Sequence, residues 1–106
     1  MTERELQEQV RLMCSQLGLY HYHTHDSRRS QRGFPDSVIL SMRSGRILWR
    51  ELKTQSGQLS ADQKAIGYAL TAGGHDYAVW RPADLLDGMI GAELAQLAGH
   101  RAAVRA

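Results

Sequence analysis

Asp36-Ser-Val-Ile-Leu-Ser-Met-Arg-Ser-Gly-Arg-Ile-Leu-Trp-Arg-Glu-Leu-Lys53 reads as two β-strands, 36–42 and 46–53, folded back on each other at Ser44-Gly45. A tight turn needs positive φ, and glycine supplies it. With Ser44 and Gly45 as the loop, Asp36 is expected opposite Lys53 and Val38 opposite Glu51. Side chains alternate between faces with a period of two. One face then carries Asp36, Val38, Leu40 and Met42 with Ile47, Trp49, Glu51 and Lys53. The other carries Ser37, Ile39, Ser41, Arg43, Arg46, Leu48, Arg50 and Leu52.

The first face is the more apolar, so it is the one expected to pack on a helix. It nevertheless ends in two carboxylates and an ammonium. Dehydrating an unpaired ion costs several kcal/mol, and chains avoid that unless the group has a partner or a task. A structural ion pair between Lys53 and one acid accounts for two of these charges. A divalent cation held between Asp36 and Glu51 accounts for all three, since hard cations take carboxylate oxygens and keep several waters.

Outward from the hairpin, residues 3–17 repeat Leu6, Val10, Met13 and Leu17 at helical spacing, with Gly18 as the stop. Glu3 and Gln7 fall on the edge of that stripe, whereas Glu5 and Glu8 point away. Glu3 is therefore a further candidate for the acidic pocket, directly or through water. It reads equally well as an acid favoured by the dipole in a first helical turn. Residues 19–24 form a short strand, and 25–35 a polar loop. Ser60 and Gln63 make a Ser-x-x-Gln capping box for a helix running to about Ala72 and ending at Gly73-Gly74. Gln63 has two readings, a cap partner or a hydrogen bond to a phosphate or to metal-bound water, and one amide is not expected to serve both fully. Asp76–Trp80 is a last strand, and Pro82 opens a last helix through Leu97, weakened by Gly88 and Gly91. The expected fold is α/β in the order α-β-β-β-α-β-α, one domain over 1–106 with its core at about 3–98 and a frayed tail at 99–106.

The chain has 106 residues, 42% of them hydrophobic and 23% charged, with a formal net charge of +2. That charge is too small to argue for nucleic acid, but Arg28, Arg29 and Arg32 cluster, as do Arg43, Arg46 and Arg50, and clustered arginines suit phosphates. The single cysteine, Cys14, excludes an intrachain disulfide and reads as a small core residue. Thr2-Glu3-Arg4-Glu5 is unlike a signal peptide, and no apolar run approaches a membrane span. A bacterial or phage-infected cytoplasm is the expected setting. His21, His23 and His25 alternate along one strand face, but an extended strand splays them. Solvated or DNA-facing imidazoles are preferred over a zinc site. Trp49 and Trp80 read as core.

Phe34-Pro35-Asp36, then Glu51-Leu52-Lys53, then Gly57-x-Leu59-Ser60-x-x-Gln63 resembles the PD-(D/E)xK nuclease superfamily, and within it the virus-type replication-repair nuclease (VRR-NUC) group. The resemblance spans about residues 3–86 and includes 22–29 and the strand exit Val79-Trp80-Arg81-Pro82. It implies a restriction-endonuclease-like core, a central mixed β-sheet flanked by helices. It further implies Asp36 and Glu51 as ligands of Mg²⁺, for which Mn²⁺ substitutes, with the Leu52 carbonyl as another ligand. Lys53 then orients the attacking water, Gln63 matches the family's later glutamine and Glu3 its N-terminal glutamate.

The activity implied is phosphodiester hydrolysis in DNA, selective for branched structures such as junctions or flaps, in phage or mobile-element replication, repair or recombination. His25, Ser27, Arg28, Arg29 and Arg32 are the expected DNA-binding residues, because arginine presents forked donors to phosphate. A homodimer is expected. Two other readings stand: a nicking or restriction-type nuclease subunit, and a non-catalytic DNA-binding module that keeps the fold.

Overall fold

The computed structural model describes residues 1–24 and 31–99. Helix α1 (Glu3–Leu17) starts at a capping box that sequence reading passed over. The Thr2 hydroxyl accepts from the Glu5 amide, and the Glu5 carboxylate accepts from the Thr2 amide. Gly18 ends the helix in the left-handed region at φ 71°, where a Cβ would be strained. Its buried side chains are Leu6, Val10 and Cys14. Met13 is only half-buried and Leu17 is exposed, contrary to the expected stripe. The helix packs along one i, i+4 row, and Cys14 takes the place assigned to its neighbour.

Strands β1 (Tyr20–His23), β2 (Ser37–Leu40), β3 (Ile47–Leu52) and β4 (Tyr77–Trp80) make one sheet in the order β1-β2-β3-β4. The first two pairings are antiparallel and β3–β4 is parallel, so the sheet is mixed, as expected. The parallel return from β3 to β4 runs through helix α2 (Ala61–Ala72), the crossover such pairing requires.

The hairpin register differs from expectation. Ser41 donates to the Arg46 carbonyl at 3.0 Å and Gly45 to the Ser41 carbonyl at 2.8 Å, so the loop spans residues 42–45. The Ser41 hydroxyl accepts from the Ser44 amide at 3.4 Å, and Gly45 sits at φ 77°. This wider turn pairs Val38 with Trp49 and Leu40 with Ile47. Continued outward, it sets Asp36 opposite Glu51 instead of Lys53. Because the slip is by two residues, every side chain keeps its face.

The core, however, lies on the other face. Ile39, Leu48 and Leu52 join Leu6, Val10, Cys14, Trp80, Ile90, Leu94 and Leu97 in one buried cluster, while Val38, Leu40, Ile47 and Trp49 are only half-buried. The polar residues that disguised the core face find partners there. Ser41 closes the turn, the Ser37 hydroxyl bonds His21 Nε2 at 3.2 Å, and Arg50 is paired. Trp80 is fully buried, as expected, and Trp49 lies on the half-open face.

That second face receives α2, where a Cβ on Gly67 would lie 2.5 Å from the Tyr77 ring. The expected single last helix is two, α3 (Pro82–Leu86) and α4 (Met89–Gly99), parted where Gly88 takes φ 87° and Asp87 accepts from the Met89 amide at 2.9 Å. The terminal tail assigned to 99–106 lies, past Gly99, outside the described residues. Among the described residues, no helix is long and apolar enough to cross a membrane.

Candidate metal centre

Asp36 enters β2 and Glu51 and Lys53 leave β3 on one face, and all three line a cavity of about 860 Å³. That lies within the roughly 300–1,000 Å³ range of ligand clefts. Glu3 and Gln7 reach the same cavity from α1, and Gln63 from α2. The division expected within α1 is observed. Glu5 is spent on the Thr2 cap and Glu8 on Arg11, leaving Glu3 for the pocket. Gln7 is held by a hydrogen bond to His23 Nδ1.

Asp36 Oδ1 accepts from the Leu52 amide at 3.1 Å, which ties the acid to the facing strand. It is the Leu52 N–H that the structure sets against Asp36. Glu51 is only 4% exposed. Burial pushes both acids upward. Asp36 rises to about 6, chiefly by desolvation and partly by Glu3. Glu51 rises to about 8, by desolvation and then by the Asp36 charge. Lys53 lowers both only by its field, and among the described residues it forms no ion pair with either. The two acids are thus largely buried on one wall of the cavity, with no countercharge in contact among the described residues.

Gln63 takes the cap role and, with the other end of its amide, contacts the site through Glu51. Its Oε1 accepts from the Ser60 amide at 2.9 Å, and its Nε2 donates to Glu51 Oε2 at 3.0 Å. A backbone N–H only donates, so the oxygen must face Ser60 and the NH₂ must face Glu51. The cap of α2 thereby aims a donor at the carboxylate, and both ends of the amide are engaged within the protein.

The loop between Lys53 and α2 is pinned from β4. Arg81 Nη1 donates to the carbonyls of Thr54 and Gly57, each at 2.7 Å, and the Gln55 side chain accepts from the Ala83 amide at 2.8 Å. Sequence reading placed Arg81 at a strand exit without seeing this role. On the opposite wall Gly33, at φ 88°, comes so close to α2 that a Cβ would meet the Asp62 carbonyl at 2.6 Å. Nothing but glycine fits there.

Arg32 is exposed and lines the cavity. His25, Ser27, Arg28 and Arg29 lie outside the described residues. Arg50, grouped by sequence with the phosphate-binding arginines, is instead 3% exposed. It is paired with Asp76 at 3.0 Å and Glu93 at 2.9 Å on the core side. Among the described residues no three His, Cys, Asp or Glu side chains form a metal cage. His21 is half-buried and held neutral, its pKa lowered to about 4 by desolvation and then by His23. Two carboxylates on a wet cavity fit a hard cation that retains most of its water, and the unrelieved repulsion between them is what such a cation removes.

Stability should report that repulsion. A carboxyl whose folded pKa is raised holds its proton while the unfolded chain has lost it, so stability falls as pH rises through that window. Asp36 contributes between about pH 4 and 6 and Glu51 between about 4.5 and 8. His21 acts oppositely below about 6.5, so the clean window is 6.5–8. In chelator, Tm is expected to fall across that window in a calorimetric scan, and Mg²⁺ should abolish the fall. A flat profile without metal contradicts the assignment.

Comparison with known protein families, with curated proteins and with solved structures finds no match to this chain.

Proposed function

We propose that the chain is a Mg²⁺-dependent DNA endonuclease of the PD-(D/E)xK type, with a VRR-NUC-like arrangement, acting on branched or otherwise non-duplex DNA. What supports this reading is Asp36, Glu51, Lys53 and Gln63 on one cavity, with both acids raised by burial and neither paired to the lysine. Asp36 and Glu51 are the metal ligands. A cation bound there would supply Lewis acidity and make a bound water easier to deprotonate. Lys53, which forms no ion pair among the described residues, stabilises charge growing on the phosphoryl oxygens. Gln63 fixes the Glu51 carboxylate, and Glu3 adds negative charge at the cavity mouth. Arg32 meets the DNA backbone, a contact that positions without reading sequence. Exposed Leu86 and Met89 suit a homodimer, in which two sites address two strands.

The test is cleavage of supercoiled plasmid and of four-way junctions by the purified chain, with Mg²⁺, Mn²⁺ or chelator. Metal-dependent cutting is expected. Asp36→Ala and Lys53→Ala should lose at least about 10²–10³-fold in rate with circular dichroism unchanged. DNA binding without cutting by the folded wild type would leave a binding module instead.

A further inference from the structure

Two aromatic side chains stand on the rim of the acidic cavity, and nothing in the proposed hydrolysis uses them. Tyr22, on β1, is 58% exposed, and Phe34, two residues before Asp36, is 50% exposed; both line the cavity that holds Asp36, Glu51 and Lys53. The sheet register carries Tyr22 beside Val38 and Val38 beside Trp49 on this face. Phe34 packs against the Trp49 ring in a T-shaped contact, with centroids 5.8 Å apart. That contact fixes the Phe34 ring while leaving half its surface to solvent. Covering such exposed rings with something flat and apolar is favourable, because it removes their apolar surface from water.

The carboxylate that must approach a phosphate is also recessed, since Glu51 is 4% exposed. A backbone brought to it enters the cavity that these rings line, so that neighbouring bases can reach them. Bases stacked within a duplex have no free face to offer, whereas unpaired bases do. Arg32, on the same cavity, supplies a cation for the adjoining phosphate.

Resting on the proposed nuclease reading, we infer that Tyr22 and Phe34 are base-stacking residues, and that the substrate presents at least one unpaired nucleotide beside the phosphate to be cut.

The experiment measures anisotropy of labelled DNA with Ca²⁺ in place of Mg²⁺, using a duplex bearing a short unpaired segment and the same molecule with abasic residues there. Stacking is worth about 5- to 100-fold in affinity per base. Wild type should prefer the base-bearing DNA by that factor. Tyr22→Ala and Phe34→Ala should each lose about 5- to 100-fold on it and little on the abasic form. Phe34→Leu keeps apolar contact with Trp49 but removes the π face, and should behave as Phe34→Ala does. Equal affinity of wild type for both DNAs, or equal losses on both, overturns the inference. Cleavage in Mg²⁺ is scored separately: cutting without a base preference rejects stacking alone, whereas a base preference without any cutting rejects the nuclease reading alone.

Discussion

Glu51→Gln is expected to make the metal-free protein more stable at pH 8 while ending its cleavage of DNA. The glutamine is nearly isosteric, and its amide oxygen can still accept from Gln63 Nε2, now 3.0 Å from Glu51 Oε2. What disappears is a charge that burial and Asp36 together oppose strongly enough to raise the Glu51 pKa to about 8. Each unit of such a shift corresponds to about 1.4 kcal/mol, so the gain at pH 8 in chelator is on the order of a few kcal/mol. The gain should vanish near pH 4, where the wild-type acid is already protonated in both states. It should also shrink in Mg²⁺, which the wild type binds and the variant does not. Cleavage should fall by at least about 10²–10³-fold. Thermal denaturation in chelator at the two pH values, with a plasmid assay alongside, checks both halves. If Glu51 instead belonged to a structural ion pair, the same substitution would destabilise at pH 8.

Arg50→Met should do the opposite, costing stability heavily while leaving the chemistry of the pocket in place. The guanidinium is 3% exposed and lies over the Trp80 ring at 5.0 Å. It donates to the Asp76 carbonyl at 2.6 Å and to the Asp76 and Glu93 carboxylates, and Glu93 also accepts from the Trp80 indole at 3.1 Å. This network joins β3, the start of β4 and α4 across the core face. Removing one partner of a buried pair costs about 3–5 kcal/mol. Asp76 is half-exposed and regains water, which sets the expectation at the lower end. Urea denaturation measures it, with Arg43→Ala, on the exposed turn, expected to shift stability by no more than about 0.5 kcal/mol. A small loss for Arg50→Met would mean the network is dispensable. A large loss of DNA affinity at unchanged stability would return Arg50 to the phosphate contacts where its neighbours in sequence had placed it.

The contrast between these two residues shows what the chain discloses. Asp36, Glu51 and Lys53 were legible as a cluster because strand alternation survives a register slip of two; the wrong turn length changed partners without changing faces. The caps were legible too, as Ser60 and Gln63 show, because they depend on neighbours three residues apart. Which face of the hairpin is the core was not. The true core face carries Ser37, Ser41 and Arg50, whose polarity is cancelled by His21, by the turn and by two acids distant in sequence. Side-chain counts along one strand cannot see such long-range compensation. Gln63 was read as either a cap or a site residue, whereas its two ends face Ser60 and, twelve residues away in sequence, Glu51. Gly88 was noticed as a weak point, and its positive φ turned that weakness into a break between two helices.

Calorimetric titration of Mg²⁺ into the metal-free chain at pH 7.5 addresses the core of this account in one measurement. Saturable binding by the wild type, lost in both Asp36→Asn and Glu51→Gln while each variant remains folded, is the expected result. Wild-type protein that takes up no Mg²⁺, or variants that bind it as the wild type does, would contradict a metal held between those two acids.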